Sequence, residues 1–533
     1  MRITFVGLGW EQLSICLMSA LAKSEGHEVS LAFNPSLFND RFQFAIPALA
    51  SIFDNTADVL KIIEEQKPDC LVFSALSGTY QWMIDVAEKA KKMRPGIKVI
   101  FGGVHTTAVP ERVLSKPFVD YVVVGEGDVA FPMILRAIEE GGATKPIPNT
   151  RFKLPNGDIV QGTQTGFTQD LDALPIYEKT IYEEHMRFNE TYITMASRGC
   201  PYRCTFCFNS FFARLPEGKS GKYVRMRSPE HMMYELRVAR RRYGTKLFEF
   251  FDDVFTVDKT WLRKFLTMYK KEIDVPYQIF SHVNFIDEEI ASLLSESGCR
   301  TAQIGMQSMN DDYKRVVCKR YETTATSAKA LDLMKKYKIK VKLDHMLGLP
   351  GEPLEAQEVA HQFYLEHTPY RINAYWTNFF PGTDMLKEAI ADGTISQDEA
   401  EAINEGKPFD CAMFANKYIN SSKMRTYKIY ETIYKLIPGF PPFLRKKLDV
   451  RFLEKLPVTI LSLATFFGHV TIGIARLDPD TFYYITYYFY HIKRFISAKI
   501  GFKSSSATRV LDGSPFALKP EIKKVEELSK AVV

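Results

Sequence analysis

The chain has 533 residues, 46% of them hydrophobic and 25% charged, with a formal net charge of +6. That length holds about three domains of ordinary globular composition, and so small a positive excess gives no reason to expect nucleic-acid binding. Eight cysteines in a chain this long, behind a start (MRITFVGLGW) without the basic and apolar stretches of a secretory signal, exclude a disulfide scaffold and predict reduced thiols in a cytoplasmic protein.

Within residues 1–145, five strand-like segments (RITFVGL, HEVSLAF, CLVFSAL, KVIFGG and YVVVGEG) alternate with helix-period stretches such as EQLSICLMSALAKSE. This predicts a Rossmann-like, doubly wound α/β domain with its ligand at the carboxyl ends of the strands. Gln12 stands where the third glycine of a G-x-G-x-x-G fingerprint belongs, which disfavours a nicotinamide cofactor. Other residues gather at strand ends: Ser74 and Ser77 after the third strand, Gly102, Gly103 and His105 after the fourth, and Gly125, Glu126 and Gly127 after the fifth. Glycines at three strand ends let the backbone approach something large.

Residues 146–186 read as a linker carrying a short hairpin around PNGD. The strand-like TYITM follows, and after it SRGCPYRCTFCFN places Cys200, Cys204 and Cys207 in a C-x3-C-x2-C spacing. Chance would give that triplet in roughly two chains per thousand of this composition. Structural zinc wants a fourth protein ligand, and no further Cys or His lies close by in sequence. Either a distant residue completes the set or one metal position stays open. The remaining cysteines (Cys16, Cys70, Cys299, Cys318 and Cys411) are scattered and are expected to be small buried hydrophobes.

Six strand-then-helix units fill residues 187–400, which predicts a partial (β/α)6 barrel of parallel strands with chemistry on the loops at their carboxyl ends. The cysteine loop follows the first of these strands. Asp252 and Asp253 end the second, Asn284 the third, Gln307 and Ser308 the fourth, and Gly348 opens GLPGE after the fifth. Residues 401–503 change character to a mostly helical, aromatic-rich region, and 504–533 form a polar tail. The apolar run 456–477 is just long enough to span a bilayer, but Pro457, Gly468, His469 and Gly473 make it a poor span. The Tyr-rich block after it, with Lys493, Arg494, Lys499 and Lys503, suits a membrane interface. The same composition suits a helical domain packed over the barrel mouth, so both readings of 440–503 stay open.

The cysteine triplet resembles the signature of the radical S-adenosylmethionine (SAM) enzymes, with Phe206 as the aromatic of the cluster loop. GGVHT, PE and VDYVVVGEG in the first domain resemble the cobalamin-binding domain that precedes the barrel in the cobalamin-dependent branch of that family. The resemblance implies a 4Fe-4S cluster on Cys200, Cys204 and Cys207 and SAM-binding roles for Phe206, Asp252, Asn284, Gln307 and Gly348. It also implies cobalamin held by Ser74, Ser77, Gly102, Gly103, His105, Gly125, Glu126 and Gly127. GLGWEQL replaces the D-x-H-x-x-G segment that supplies a cobalt histidine in other cobalamin domains. His105 is then the substitute candidate, its other reading being a polar anchor of a strand-end loop.

The activity implied is generation of a 5'-deoxyadenosyl radical and methylation of an unactivated carbon of a hydrophobic small molecule, with electrons from a donor such as flavodoxin or ferredoxin. Radical cyclisation without net methylation, as in the anaerobic cyclases, is the alternative. A non-catalytic cobalamin or redox sensor is the reading from another class.

Overall fold

The computed structural model describes residues 1–40, 44–215, 221–407, 421–447 and 450–499. Cys411 and the tail 504–533 lie outside them. The first sheet is built from β1 (Arg2–Leu8), β2 (Glu28–Asn34), β3 (Cys70–Ser74), β4 (Lys98–Gly102), β5 (Tyr121–Val123), β6 (Thr150–Lys153) and β7 (Ile159–Gln161), in the order β2-β1-β3-β4-β5-β6-β7. The first five strands run parallel. Helices α1 (Leu13–Ser24), α2 (Thr56–Gln66), α3 (Ser77–Met93) and α4 (Ala130–Glu139) connect or flank them. The chain turns in opposite directions on leaving β1 and β3, and the ends of those strands therefore flank the crevice where such sheets take ligands. The PNGD hairpin forms as β6 and β7, and it extends this sheet antiparallel at the β5 edge.

The second sheet takes β8 (Tyr192–Thr194), β9 (Phe248–Phe250), β10 (Tyr277–Ser281), β11 (Cys299–Gln307), β12 (Lys340–Leu347) and β13 (Arg371–Trp376), all parallel and in chain order. Its crossover helices are α5 (Pro229–Tyr243), α6 (Lys259–Glu272), α7 (Glu288–Ser297), α8 (Thr324–Lys336) and α9 (Glu355–Glu366), and α10 (Asp384–Ala391) follows the last strand. Side chains fix where several of them begin: Ser228, Asp258, Asp287, Thr323 and Thr383 each accept a hydrogen bond from the backbone N–H three residues on. Six strands leave the barrel open between β8 and β13.

The C-terminal helices α11 (Ser421–Leu436), α12 (Val458–Ala475) and α13 (Pro479–Lys499) deal with that opening. At the start of α13, Asp480 accepts a 3.2 Å bond from Gln278 of β10 and pairs with Lys342 of β12. Further along, Thr486 donates to Glu190, just before β8, at 3.0 Å. The helix therefore runs from the last strands to the first across the gap. One continuous apolar core, from Phe5 and Phe131 through Tyr192 and Phe250 to Tyr434 and Tyr487, joins both sheets and these helices. Cys16, Cys70, Cys299 and Cys318 are buried free thiols.

Candidate active site

Both sheets turn their carboxyl ends toward the same space. A cavity of about 630 Å³ is lined by Leu8, Gly9 and Trp10 after β1, Gly78 and Thr79 at the start of α3, Phe206 of the cysteine loop, Gln307 and Met346 of the barrel, and Tyr484, Tyr487 and Tyr488 of α13. Trp10 stacks on Tyr487 at 4.3 Å between ring centroids, and the Tyr487 hydroxyl donates to the carbonyls of Gly9 and Pro35. Tyrosines of α13 thus form the wall of the cavity on the C-terminal side.

The cysteine loop is fixed by its backbone. Gly199 has φ 87, and a Cβ there would stand 2.3 Å from the Tyr223 carbonyl oxygen, so only glycine fits ahead of Cys200. Thr205 N donates to Cys318 O at 3.2 Å, and Thr205 O receives Met385 N at 2.9 Å. Arg320 donates from Nη1 toward Cys204 Sγ at 3.7 Å and from Nη2 to Gly305 O at 2.7 Å, while Asn209 Nδ2 lies 3.6 Å from Cys207 Sγ. Burial pushes Cys200 and Cys207 up to about 12 and also raises Cys204, against the opposing pull of Arg320. Thiols in such surroundings become thiolates when a metal supplies the positive charge. Among the described residues no three His, Cys, Asp or Glu side chains converge where a single metal ion could sit. Three thiols on one loop, with guanidinium and amide donors at two of the sulfurs, have the donor chemistry of an iron-sulfur site.

The other barrel residues divide. Phe206 is partly buried against the apolar cluster that contains Tyr313, Leu349 and Phe379. Gln307 has φ 63 at a bulge in β11, and Gly348 has φ 72. Asn284 is exposed and donates to the Tyr202 hydroxyl at 2.9 Å, and Tyr202 in turn stacks on His282. Asp252 departs from expectation. It is 1% exposed and its carboxylate accepts from Ala196 N at 3.0 Å and Ser197 Oγ at 2.5 Å, so it ties β9 to the strand leading into the cysteine loop and is not free for a ligand. Burial raises it to about 6. Its neighbour Asp253 faces the loop instead, 3.4 Å from Asn209 Nδ2, and its field bears on Cys200 and Cys207.

In the first domain, Ser74 Oγ lies 2.9 Å from Ser14 Oγ. Ser77 is hydrogen-bonded to His105 Nδ1 at 3.0 Å. His105 is fully buried, burial lowers it to about 4, and it packs 4.1 Å from the Tyr80 ring. It anchors the start of α3 and is absent from the shared cavity, which no histidine lines. Gly102 has ample room, whereas Gly103 at φ 94 meets the Ala75 backbone.

The Glu126 side chain, expected at the cobalamin, is turned to the barrel side instead. Its carboxylate takes Arg225 at 2.9 Å, Arg198 at 3.3 Å and Thr168 N at 3.0 Å. Asp128 takes Arg198 through two bonds, at 2.5 and 3.2 Å. Gly125, at φ 85, and Gly127 shape this turn. GEGD therefore docks the first domain onto Ser197–Arg198, which pairs antiparallel with Arg225–Met226 directly before Cys200. The first domain's own edge of the shared cavity includes the glycine backbone at Gly9, at φ 78, and Gly78, where a Cβ would point into open space. An open, backbone-lined, aromatic crevice at the switch of strand direction fits a broad flat ligand with no histidine from this edge.

Residues 195–363 match the Radical SAM superfamily, and residues 3–135 match the B12 binding domain. An uncharacterised methyltransferase of Pyrococcus horikoshii is 28% identical over 348 residues, 64% of this chain and 73% of that protein. The anaerobic magnesium-protoporphyrin IX monomethyl ester cyclase of Rubrivivax gelatinosus is 23% identical over 335 residues, 60% of this chain and 58% of the cyclase. The solved structure of the cobalamin-dependent S-adenosylmethionine radical enzyme OxsB shares the fold with a TM-score of 0.62 at 14% identity, over 100% of this chain and 78% of that one. The chain is a radical SAM enzyme with an N-terminal B12-binding domain. It belongs to the cobalamin-dependent branch, whose cofactors are a 4Fe-4S cluster, SAM and cobalamin.

Trp10, Tyr484, Tyr487 and Tyr488 were not legible as site residues. The crowding of tyrosines was visible in the sequence, but nothing local says that a helix near residue 485 returns to the end of the first strand.

Proposed function

We propose that the chain methylates an unactivated carbon of a hydrophobic small molecule. The observation that carries this reading is the single cavity lined at once by the switch point of the B12-binding sheet, by Phe206 of the cysteine loop and by three tyrosines of α13. When bound, the cluster with SAM supplies hydrogen-atom abstraction from carbon, and cobalamin supplies methyl-group transfer. Cys200, Cys204 and Cys207 would hold the cluster, with Arg320 and Asn209 stabilising their thiolates through hydrogen bonds to sulfur. Asp253, the carboxylate beside the loop, would receive the amino group of SAM, while Asp252, the SAM-binding candidate of the sequence reading, is engaged by Ala196 and Ser197. The backbone at Gly9 and Gly78 would carry the face of cobalamin. Trp10 and Tyr487, stacked on each other, would form one aromatic wall of the space that holds the substrate. An external flavodoxin or ferredoxin would deliver the electrons.

The aromatic lining favours a hydrophobic substrate. The methyltransferase relative, 73% of whose length is matched, favours methyl transfer, and the cyclase relative supports ring closure as the second reading. Anaerobic incubation of the reconstituted enzyme with SAM labelled in its methyl group, a reductant and lipid or pigment extracts distinguishes them by mass spectrometry. A product carrying the label is expected. A product that has lost hydrogen without gaining label would establish the cyclase reading instead, and cleavage of SAM with no substrate product in any extract would overturn the substrate class.

A further inference from the structure

A second cavity of about 540 Å³ lies between β13, α11, α12 and α13. It meets the first at Tyr375, Tyr484 and Tyr488, which line both. Its walls are apolar, from Phe466 and Val470 on α12 and Ile485, Phe489 and Ile492 on α13. Its floor is polar: Glu431 sits 2.8 Å from both Lys428 and Lys435, two cations on one carboxylate. Ser462 and Phe489 line this chamber and are also exposed, Phe489 to 71%, so the mouth opens between α12 and α13 on the outer surface.

That surface is unlike the rest of the molecule. Helix α12 has a mean hydropathy of 1.8 with only 17% of it buried. Leu463 is 57% exposed, Phe467 59% and Ile474 43%, and on α13 Ile496 is 51% exposed beside Phe489. Exposed lysines bracket the patch, Lys446, Lys447 and Lys455 before it and Lys493 and Lys499 after it. The opposite side of α12 is locked to protein. Thr465 bonds Thr432 of α11 at 2.7 Å, and Cβ atoms at Gly468 and Gly473 would each stand 2.2 Å from Leu436 and Thr481. Arg476 at its end bonds the Tyr370 carbonyl at 2.7 Å. A helix held along one face this way leaves its other face free, as in an interfacial helix that lies in the plane of a bilayer.

Building on the methylation reading, we propose that α12 and α13 dock on an anionic bilayer and that the second chamber takes the apolar body of a membrane-resident amphiphile, passing its reacting carbon beyond Tyr375 and Tyr484 into the first cavity. Apolar side chains enter the acyl boundary while the flanking lysines meet anionic headgroups. The excess positive charge at Lys428 and Lys435 matches an amphiphile with an acidic end group.

The test uses the full-length protein without cofactors, so its outcome is independent of any turnover and of the methylation reading. Co-sedimentation with phosphatidylglycerol-containing vesicles is expected at low salt, weaker with pure phosphatidylcholine and weaker at high salt. Phe467→Glu with Phe489→Glu, both on the exposed face, should lower vesicle binding by about tenfold or more. Separately, a fluorescent long-chain fatty acid should bind the wild type, and filling the chamber by Val470→Trp, or by Ile485→Trp should the first not fold, should abolish that signal while vesicle binding persists. No vesicle binding by a protein that melts normally, dimerisation through the α12 face in its place, or fatty-acid binding indifferent to the chamber-filling variants would each overturn the proposal.

Discussion

Gly103 has a structural reason to be glycine that its place in the sequence does not disclose. Its position after β4 marked it as a place for close ligand approach, but the structure gives a nearer cause: at φ 94 a Cβ would stand 2.6 Å from the Ala75 carbonyl oxygen and 2.7 Å from Ala75 N. Backbone cannot yield as a flexible side chain does. Gly103→Ala should therefore destabilise the first domain by about 3 kcal/mol, seen as a lower melting temperature of the cofactor-free protein. An unchanged melting temperature would show that the β3–β4 edge relaxes freely. His105, beside it, should tolerate substitution without consequence for cobalt. His105→Ala is expected to lose its bond to Ser77 and some stability, and to leave the absorption spectrum of bound cobalamin unchanged. A spectral change would make His105 a ligand after all. At the cysteine loop, replacing Cys200, Cys204 and Cys207 together by Ala should remove about four irons and four sulfides per chain from the reconstituted protein. Retention of iron by that variant would sink the cluster assignment.

Between elements, a buried polar chain links the end of β11, the loop after β12, α9 and α11. The Ser308 hydroxyl donates to Glu352, Gln357 Nε2 donates to the same carboxylate at 2.9 Å, and Gln357 Oε1 is bonded to His345 Nε2 at 3.0 Å. Tyr434 of α11 reaches the Gln357 carbonyl at 2.8 Å. Burial raises Glu352 from 4.5 to about 7, and the bonds from Ser308 and Gln357 only partly offset that rise. Between those pH values the folded chain holds a proton that the unfolded chain has released. The stability this group contributes is therefore full below pH 4.5, falls as pH rises to about 7 and is flat above. The loss amounts to about 3 kcal/mol. Glu352→Gln should remove it, so the melting temperature of the variant should gain on the wild type through that window, and parallel curves would refute the assignment. None of this network was legible beforehand. GLPGE reads as a turn at a strand end, and whether its Glu lies in water or in the protein depends on α11, which arrives about 80 residues later.

At the scale of the molecule, the strand and helix periods disclosed a doubly wound first sheet and a partial barrel, because parallel α/β units carry their class in the alternation itself. The strand order of the first sheet and its extension by the PNGD hairpin come only from the structure. The three cysteines were legible because their spacing is improbable without a shared ligand. The joint between the domains was not, since Glu126 and Asp128 look the same in sequence whether they face a cofactor or an arginine. The structure sends them to Arg225 and Arg198, with Arg198 two residues before Cys200. Two guanidiniums thus hold the GEGD turn of the B12-binding domain, and one of them, Arg198, sits on the segment that leads into the cysteine loop. Arg198 and Asp128 are 18% and 3% exposed in their side chains, so removing the acid leaves a charge with little water to replace it, and breaking such a pair typically costs about 3 to 5 kcal/mol. Glu126, at 3.3 Å from Arg198, softens that cost. Asp128→Ala should lower the melting temperature and also reduce the iron retained after reconstitution, although the residue touches no cysteine. Arg198→Lys should fall between the wild type and Asp128→Ala, since an ammonium keeps the charge and loses the two-pronged geometry. If Asp128→Ala destabilised the chain yet held its full complement of iron, the two domains would be joined at this site without the cluster loop depending on the joint.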